Sequence, residues 1–88
     1  MTGARVLLDN RRTPCAVGLI RADETIRDLA PGTVLEIWSR DRFAPMEIPL
    51  WAERDGHLVQ MRGQAGWWPL RYFVFEVTKG GPGTGRQR

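Results

Sequence analysis

Residues 30–39, APGTVLEIWS, decide the fold because they place the strongest predicted strand directly after the end of a helix. The Ala-Pro-Gly triplet is a typical helix stop. In the strand that follows, bulky apolar residues are interrupted by Glu36, which lies on the opposite pleat. A helix that leads straight into a strand indicates a crossover connection, and strands joined by a crossover run parallel.

The segment before this stretch predicts a strand and an amphipathic helix. The apolar run RVLLDN is typical of a short buried strand over about residues 4–9. Thr13 offers an N-cap hydroxyl, and Pro14 fits the first helical position, where a missing N–H costs nothing. A helix is therefore expected from Pro14 until the stop at residues 30–32. Its apolar residues recur at three- and four-residue steps: Leu19, Ala22, Ile26 and Leu29.

The segment after it predicts a second helix and a hairpin. Asp41 is expected to cap the helix. Because Pro45 and Pro49 should kink or delay its start, regular helix is predicted only over about Ile48–Asp55. Two strands, HLVQMR and RYFVFEV, then flank the loop GQAGWWPL and form a hairpin with a wide turn.

The element order β-α-β-α-β-β predicts the α+β class. Strands that alternate with helices need crossover connections, so the first two strands are expected to be parallel and the last two antiparallel. Two helices covering one face of a four-stranded mixed sheet form a two-layer α/β sandwich. Residues 1–79 are expected to form this single domain, and the glycine-rich residues 80–88 are expected to form a flexible tail.

Composition and charge favour a soluble, cytosolic protein. No stretch approaches the roughly 18 apolar residues of a membrane span, and the N-terminal residues lack the apolar region of a signal peptide. The formal charge of +3 includes Lys79, Arg86 and Arg88, in or beside the predicted tail, so the rest is close to neutral. The single cysteine, Cys15, is expected to stay reduced. Cys15 and His57 do not supply the four ligands that zinc requires, so no metal is expected.

Three segments, taken with their spacing, resemble the TusA/SirA-like sulfur carrier family, which shares this element order. In LLDNRRTPC, Asp9 precedes Cys15 by six positions, as an Asp precedes the carrier cysteine in the family. IRDLAPGTVLEIWSRD is similar to the family's helix end, turn and second strand and closes at Asp41. EIPLWAERDGH matches the family's DIPxWxxxxGH signature, with Glu47 in place of Asp. The resemblance covers about residues 6–78.

The resemblance implies a cytosolic sulfur carrier, a sulfurtransferase-like protein that works through Cys15. In the family, the cysteine at the start of the first helix accepts sulfane sulfur as a persulfide from a donor protein, a cysteine desulfurase or a rhodanese, and hands it to an acceptor protein. No metal and no diffusible cofactor are implied. The family's Cys-Pro-x-Pro motif reads CAVG at residues 15–18, so both prolines are absent. This departure also fits a divergent binding or regulatory module in which Cys15 is structural.

The residues around Cys15 leave two environments open for its thiol. The helix start favours an anion by typically about 0.3 to 1 kcal/mol, and Arg11 and Arg12 would add positive charge if the loop folds back. On a helical wheel, however, Cys15 lies within about 40° of the apolar stripe, and free cysteines are commonly buried. An exposed functional thiol and an inert core thiol are both compatible with the sequence.

Trp67 and Trp68 are candidates for partner binding, because two adjacent indoles in a glycine-rich loop cannot both face one small core. With Arg62 and Arg71 nearby, they would anchor a protein interface. They would also stack single-stranded nucleic acid, although the nearly neutral body argues against that function.

Three polar residues have simpler structural interpretations. Asp9 is expected to end a strand before a turn, where its carboxylate bonds to the backbone. Asp41 is expected to cap a helix first and to contact a partner second. His57 could in principle serve as a base for Cys15, but a structural histidine is favoured.

Overall fold

A computed structural model of the chain describes residues 4–80. In chain order, its elements are β1 (Arg5–Asn10), α1 (Cys15–Arg27), β2 (Val34–Ser39), α2 (Ala44–Arg54), β3 (Leu58–Ala65) and β4 (Tyr72–Thr78). This order confirms the predicted β-α-β-α-β-β arrangement and the α+β class. The predicted tail beyond Gly80 lies outside the described residues.

The four strands form one mixed sheet in the order β1-β2-β4-β3. β1 and β2 are parallel, as the crossover through α1 requires, whereas β4 is antiparallel to both of its neighbours. Ile37 lies opposite Leu8 on one side and Phe75 on the other. The apolar layer is therefore continuous across the central strands.

A single apolar core lies between one face of the sheet and both helices. Its buried members are Leu8, Ala22, Ile26, Leu35, Ile37, Ala44, Ile48, Trp51, Ala52, Phe75 and Val77. Each large side chain in this set contributes about 1.5–3 kcal/mol of hydrophobic free energy on burial. Two members of the stripe predicted on α1 are fully buried, and the other two, Leu19 and Leu29, are half-buried at the margin. No helix within residues 4–80 is long and apolar enough to cross a membrane.

The other face of the sheet carries a charge network. Glu36 and Glu76 are paired across β2 and β4, an arrangement that is destabilising for two like charges. Arg5 offsets this repulsion, since its Nη2 donates to Glu36 Oε1 at 2.9 Å and to Glu76 Oε2 at 2.5 Å. Trp38 Nε1 donates to Glu36 Oε2 at 2.6 Å, and this bond holds the pKa of Glu36 below its ordinary value.

α1 begins one residue later than predicted, and the prediction that Thr13 caps it is wrong. Pro14 occupies the N-cap position, and its carbonyl accepts the first helical bond from Gly18 N at 2.8 Å. The Thr13 hydroxyl instead accepts a bond from Arg21 Nη1 at 3.0 Å. Cys15 is consequently the first residue of the helix.

α2 begins at Ala44, earlier than the predicted start at Ile48. Pro45 lies in the first turn, where no backbone donor is needed, and Pro49 omits only the bond to the Pro45 carbonyl. The prediction that Asp41 caps this helix is also wrong. The N-cap residue has no side-chain cap, and Asp41 Oδ1 accepts from Phe43 N at 2.8 Å in the turn before the helix.

β3 extends to Ala65, further than predicted, and a bulge interrupts its pairing with β4. The register shifts between Met61 and Gly63, which leaves Arg62 as the extra residue. Gly63 has a φ of 113°, a conformation that favours glycine. The connecting loop consequently covers residues 66–71 only.

Candidate functional site

Three loops meet at the edge of the sheet where β1 and β2 end. Asn10 and Ser39, the last residues of these strands, are paired, and β4 starts beside them. The β1–α1 loop (residues 11–14), the β2–α2 loop (40–43) and the β3–β4 loop (66–71) therefore lie at one edge, termed the loop edge. This edge carries every site residue predicted from the sequence: Arg11, Arg12, Cys15, Asp41, Trp67 and Trp68.

Cys15 occupies the N-terminus of α1, and its thiol lies outside the described side chains. Because the first helical bond joins Gly18 N to the Pro14 carbonyl, the N–H groups of residues 15–17 have no acceptor within the helix. None of these residues is acidic. The backbone at this position thus favours a negatively charged group, such as a thiolate or a persulfide anion.

Asn10 and Gly18 determine how closely α1 approaches the end of β1. Asn10 is 3% exposed, and its Nδ2 donates to the Gly18 carbonyl at 3.2 Å. A Cβ at position 18 would lie 2.8 Å from Asn10 Nδ2, so only glycine fits without movement. Asn10 Oδ1 is buried without a partner among the described residues. The sequence did not reveal this pair, because a contact between a strand end and a helix carries no periodic signal.

Asp9 and Arg11 form a bidentate ion pair at the end of β1. Arg11 donates from its backbone N, Nε and Nη2 to the Asp9 carboxylate at 3.1, 2.9 and 2.8 Å. These bonds hold the pKa of Asp9 below its ordinary value, and the charge of Arg12 acts in the same direction. The Arg11 guanidinium lies 4.8 Å from the Trp38 ring centroid and 5.0 Å from that of Tyr72. Asp9 therefore has the structural role predicted for it.

The loop edge contains an open cavity of about 310 Å³, termed the arginine pocket. Its lining residues are Asp9, Arg11, Arg12, Thr13, Arg21, Arg40 and Leu70. Four guanidinium groups and one carboxylate make this pocket positively charged. A contiguous cavity of about 400 Å³ shares Arg12 and Arg40 and adds Pro14 and Asp41. The positive surface thus reaches the start of α1.

Arg21 and Arg40 were not predicted as site residues. Arg40 directly follows β2, and the carboxyl ends of parallel strands are where open α/β sheets bind ligands, so its position offered a signal. Arg21 offered none, because only the folded contact with the Thr13 hydroxyl turns its side chain toward the loop edge.

The β3–β4 loop, termed the Trp loop, presents apolar side chains to solvent beside the arginine pocket. Trp67 is 86% exposed, Trp68 is 79% exposed and Leu70 is 61% exposed. These values confirm that the two indoles do not both face the core. Arg40 Nη2 donates to the Pro69 carbonyl at 3.2 Å, so the loop is bonded directly to the pocket.

A groove between α1 and α2, termed the helix groove, begins at Ala16, next to Cys15 in the chain. It has a volume of about 1050 Å³ and is lined by apolar and charged side chains. Ile20 on α1 and Leu50 on α2 are 59% and 61% exposed. Its charged lining residues are Asp23, Glu24, Arg27, Glu47, Arg54 and Asp55. The groove is an apolar surface with a predominantly acidic margin.

His57 lies at the opposite edge of the sheet, just before β3, which excludes it as a base for Cys15. Its Nδ1 accepts a bond from Gly80 N at 2.9 Å, and its ring lies 5.8 Å from that of Trp51. Burial lowers the pKa of His57 below its ordinary value of 6.5. These contacts agree with the structural role that the sequence favoured.

Comparisons with known proteins bear on this geometry. A family model described as "Sulfurtransferase TusA" matches residues 6–74. The chain belongs to the TusA family. A "Putative sulfur carrier protein" of Archaeoglobus fulgidus is 30% identical over 66 residues, which are 74% of this chain and 90% of that relative. "Putative sulfur carrier protein YrkF" of Bacillus subtilis (strain 168) is 30% identical over 57 residues, 65% of this chain. No solved structure gives a significant match.

TusA-family membership supports a sulfur carrier role for the chain. The match over residues 6–74 includes Cys15, the arginine pocket and the Trp loop. The chain spans 31% of the length of the B. subtilis relative.

Proposed function

We propose that this TusA-family chain relays persulfide sulfur through Cys15 between a donor enzyme and an acceptor protein. The position of Cys15 carries this proposal. The single cysteine of the chain is the first residue of α1, at the loop edge, within the segment that matches the TusA family.

Sulfur transfer onto Cys15 is a thiol exchange that needs no external oxidant or reductant. The Cys15 thiolate attacks the outer sulfur of a donor persulfide, the S–S bond of the donor breaks, and the donor leaves as a thiolate. Cys15 then carries one additional sulfur atom. An acceptor thiolate takes that sulfur in the same way and regenerates the Cys15 thiolate.

The charge distribution at the loop edge favours the anionic forms that this exchange requires. The N-terminus of α1 stabilises an anion by typically about 0.3–1 kcal/mol. Arg12 and Arg40 line the adjoining cavities and add positive charge. The charge of Arg11 is balanced by Asp9, 2.8 Å away, so of the two loop arginines Arg12 contributes more.

We expect both partners to be proteins, with a cysteine desulfurase or a rhodanese-like enzyme as the donor. The helix groove presents exposed apolar area beside the start of α1, and protein interfaces bury such area. Asp41, Trp67 and Trp68 are proposed contacts on the loop edge. Because a thiol carrier needs a reducing compartment, we place the protein in the cytoplasm.

Intact-mass measurement tests the proposal. After incubation with glutathione persulfide, the chain is expected to gain one sulfur atom, about 32 Da. Cys15→Ser is expected to gain nothing, since the chain has no second cysteine. Cyanide should then release the sulfur as thiocyanate and restore the original mass. A mixed disulfide would instead add the mass of a whole glutathione and would release no free thiocyanate.

A second candidate function is a binding or regulatory module with a structural Cys15. The CAVG sequence at residues 15–18, without the prolines of the family motif, favours it. The same measurement separates the two functions. No mass gain under conditions that load a control carrier would contradict sulfur transfer and support the module.

A further inference from the structure

We propose that the arginine pocket and the Trp loop together form a docking site for an acidic segment of a protein partner. Carboxylates of the segment bind in the pocket, and an apolar side chain packs on the exposed indoles. The inference rests on the proposed function, because it specifies the chemistry of a partner that approaches Cys15. It concerns binding alone and involves no sulfur transfer.

The pocket keeps a net positive charge within the fold. Asp9 is bound through both carboxylate oxygens by Arg11, so this pair is internally balanced. Arg21 and Arg40 donate to uncharged oxygens, a threonine hydroxyl and a proline carbonyl. When Asp41 of the adjoining cavity is included, the four arginines that line the two cavities still outnumber the two acidic residues. Guanidinium groups match carboxylates in geometry and charge, so an acidic ligand is the complementary one.

The Trp loop supplies the apolar half of the site. Trp67 and Trp68 are 86% and 79% exposed, and tryptophan and arginine are the residues that dominate interface binding energy. The Arg40 bond to the Pro69 carbonyl and the lining position of Leu70 join the loop to the pocket. A small anion would fill the pocket and leave the indoles in water, whereas a peptide segment covers both.

The distribution of charge favours a protein segment over single-stranded nucleic acid, which requires a groove of cations along its backbone. Arg62 precedes the Trp loop on β3 and Arg71 is the last residue of the loop, and both contact strand residues. Arg62 Nε lies 3.8 Å from Glu76 Oε1. Arg71 Nη1 donates to Gln64 Oε1 at 3.4 Å. Neither residue lines the arginine pocket, whose four guanidinium groups surround one compact cavity and do not form an extended groove.

The docking site lies beside the proposed transfer position without including it. Pro14 lines the adjoining cavity, and Cys15 follows it in the chain. A partner segment held in the pocket keeps the rest of the partner next to the start of α1.

A titration of the Cys15→Ser chain tests this docking separately from sulfur chemistry. The probes are the peptide Ac-EELEELEE-NH2 and its uncharged counterpart Ac-QQLQQLQQ-NH2. The acidic peptide is expected to bind at least about tenfold more tightly. The indole N–H NMR signals of Trp67 and Trp68 are expected to shift on binding, while that of the buried Trp51 stays in place.

Matched variants locate the binding. Combining Arg12→Gln with Arg40→Gln is expected to weaken the acidic peptide by about tenfold or more. Combining Arg62→Gln with Lys79→Gln also removes two positive charges, but from residues that line neither the arginine pocket nor the helix groove, and is expected to change binding little. Trp67→Ala is expected to weaken binding about tenfold. Leu58→Ala, a 73% exposed apolar residue at the opposite edge, is the matched control.

Three results would overturn the inference. Equal weakening by the double arginine variant of the pocket and by the Arg62→Gln, Lys79→Gln control would reveal binding to net charge only. Tighter binding of single-stranded oligo(dT) with the same dependence on Trp67 would make this a nucleic-acid surface. Citrate binding that competes with the peptide and is insensitive to Trp67→Ala would reduce the site to a small-anion pocket. A chain that binds the peptide but gains no sulfur on Cys15 contradicts only the carrier function.

Discussion

Replacing Gly18 by alanine sets two effects of similar size against each other. Alanine favours the helix over glycine by about 1 kcal/mol. A Cβ at position 18 would lie 2.8 Å from Asn10 Nδ2 and displace a buried amide that bonds to the Gly18 carbonyl. Leaving a buried donor unsatisfied costs about 1–3 kcal/mol. The contact with Asn10 is therefore expected to outweigh the helical preference.

Gly18→Ala is accordingly expected to lower the free energy of unfolding by up to about 2 kcal/mol. In an Asn10→Ala background the same change is expected to raise it by about 0.5–1 kcal/mol. The closest atom that remains at position 10 is its Cβ, at an ordinary contact distance of 3.6 Å. Urea unfolding of the four chains measures this cycle. Equal effects of Gly18→Ala in both backgrounds would show that Asn10 does not select the glycine.

The sequence shows a glycine where the related motif has a proline, but it does not show what the glycine contacts. Pro14 and the family resemblance predicted the position of Cys15 at the start of a helix. The approach of Asn10 depends on where the end of β1 lies relative to α1. That relation is tertiary, so no local pattern encodes it.

Among the elements, the central strands were the most predictable. Leu35 and Ile37 on β2 are buried on the pleat opposite Glu36, as predicted, and Phe75 on β4 is buried beside them, because flanking strands and both helices shield this face. β3 is an edge strand and is covered less. Its last residues, Gly63, Gln64 and Ala65, carry no bulky apolar side chain, so the end of β3 gave a weak signal and its extension to Ala65 was missed.

The start of α2 was missed because its two prolines have different effects. Pro45 lies in the first turn, where a backbone N–H would have no acceptor within the helix, so its absence costs nothing. Pro49 lies in the interior, where the missing N–H removes a helical bond. Apolar residues at helical spacing, Ile48, Trp51 and Ala52, are buried and hold the helix together despite the missing bond. Packing thus overrides the local preference of Pro49.

Pro49→Ala is therefore expected to stabilise the protein. The change restores the backbone bond to the Pro45 carbonyl, and proline in a helix interior is about 3 kcal/mol less favourable than alanine. Two effects offset part of this difference: the half-buried proline ring is lost, and the unfolded chain becomes more flexible. The net increase in the free energy of unfolding is expected to be about 1–2 kcal/mol. Pro45→Ala is the matched control, with an expected change within about 0.5 kcal/mol. Equal unfolding free energies for both variants would contradict the account.

At the scale of the whole molecule, chain topology assembles the loop edge. β1 and β2 are parallel, so both end at the same edge, and the β3–β4 hairpin turns there too. The predicted topology was sufficient to place Cys15 at this edge. The contact of Arg40 with the Trp loop required the strand register, since Ser39 pairs with Phe73, and register was not predicted.

His57, at the edge of the sheet opposite the loop edge, makes the stability of the protein depend on pH. Burial lowers the pKa of His57 below 6.5, the charge of Lys79 acts in the same direction, and the charges of Asp55 and Asp23 oppose it. The unfolded chain takes up a proton near the ordinary pKa, while the folded chain resists it. The contribution of neutral His57 to stability is therefore fully present above about pH 6.5. It is lost as the pH falls from there toward the lower pKa of the folded state.

The free energy of unfolding is expected to fall below about pH 6.5 with a slope of at most about 1.4 kcal/mol per pH unit. The lowered pKa values of Asp9 and Glu36 lie below 3.8 and 4.5, so measurements that stop near pH 5 isolate His57. His57→Asn keeps an acceptor for Gly80 N–H without titrating, and its unfolding free energy is expected to stay level over this range. Sulfur loading of Cys15 should be equal in both chains at each pH, because His57 lies at the other edge. A slope that persists in His57→Asn would assign the proton to another group, and altered loading would show that the two edges are coupled.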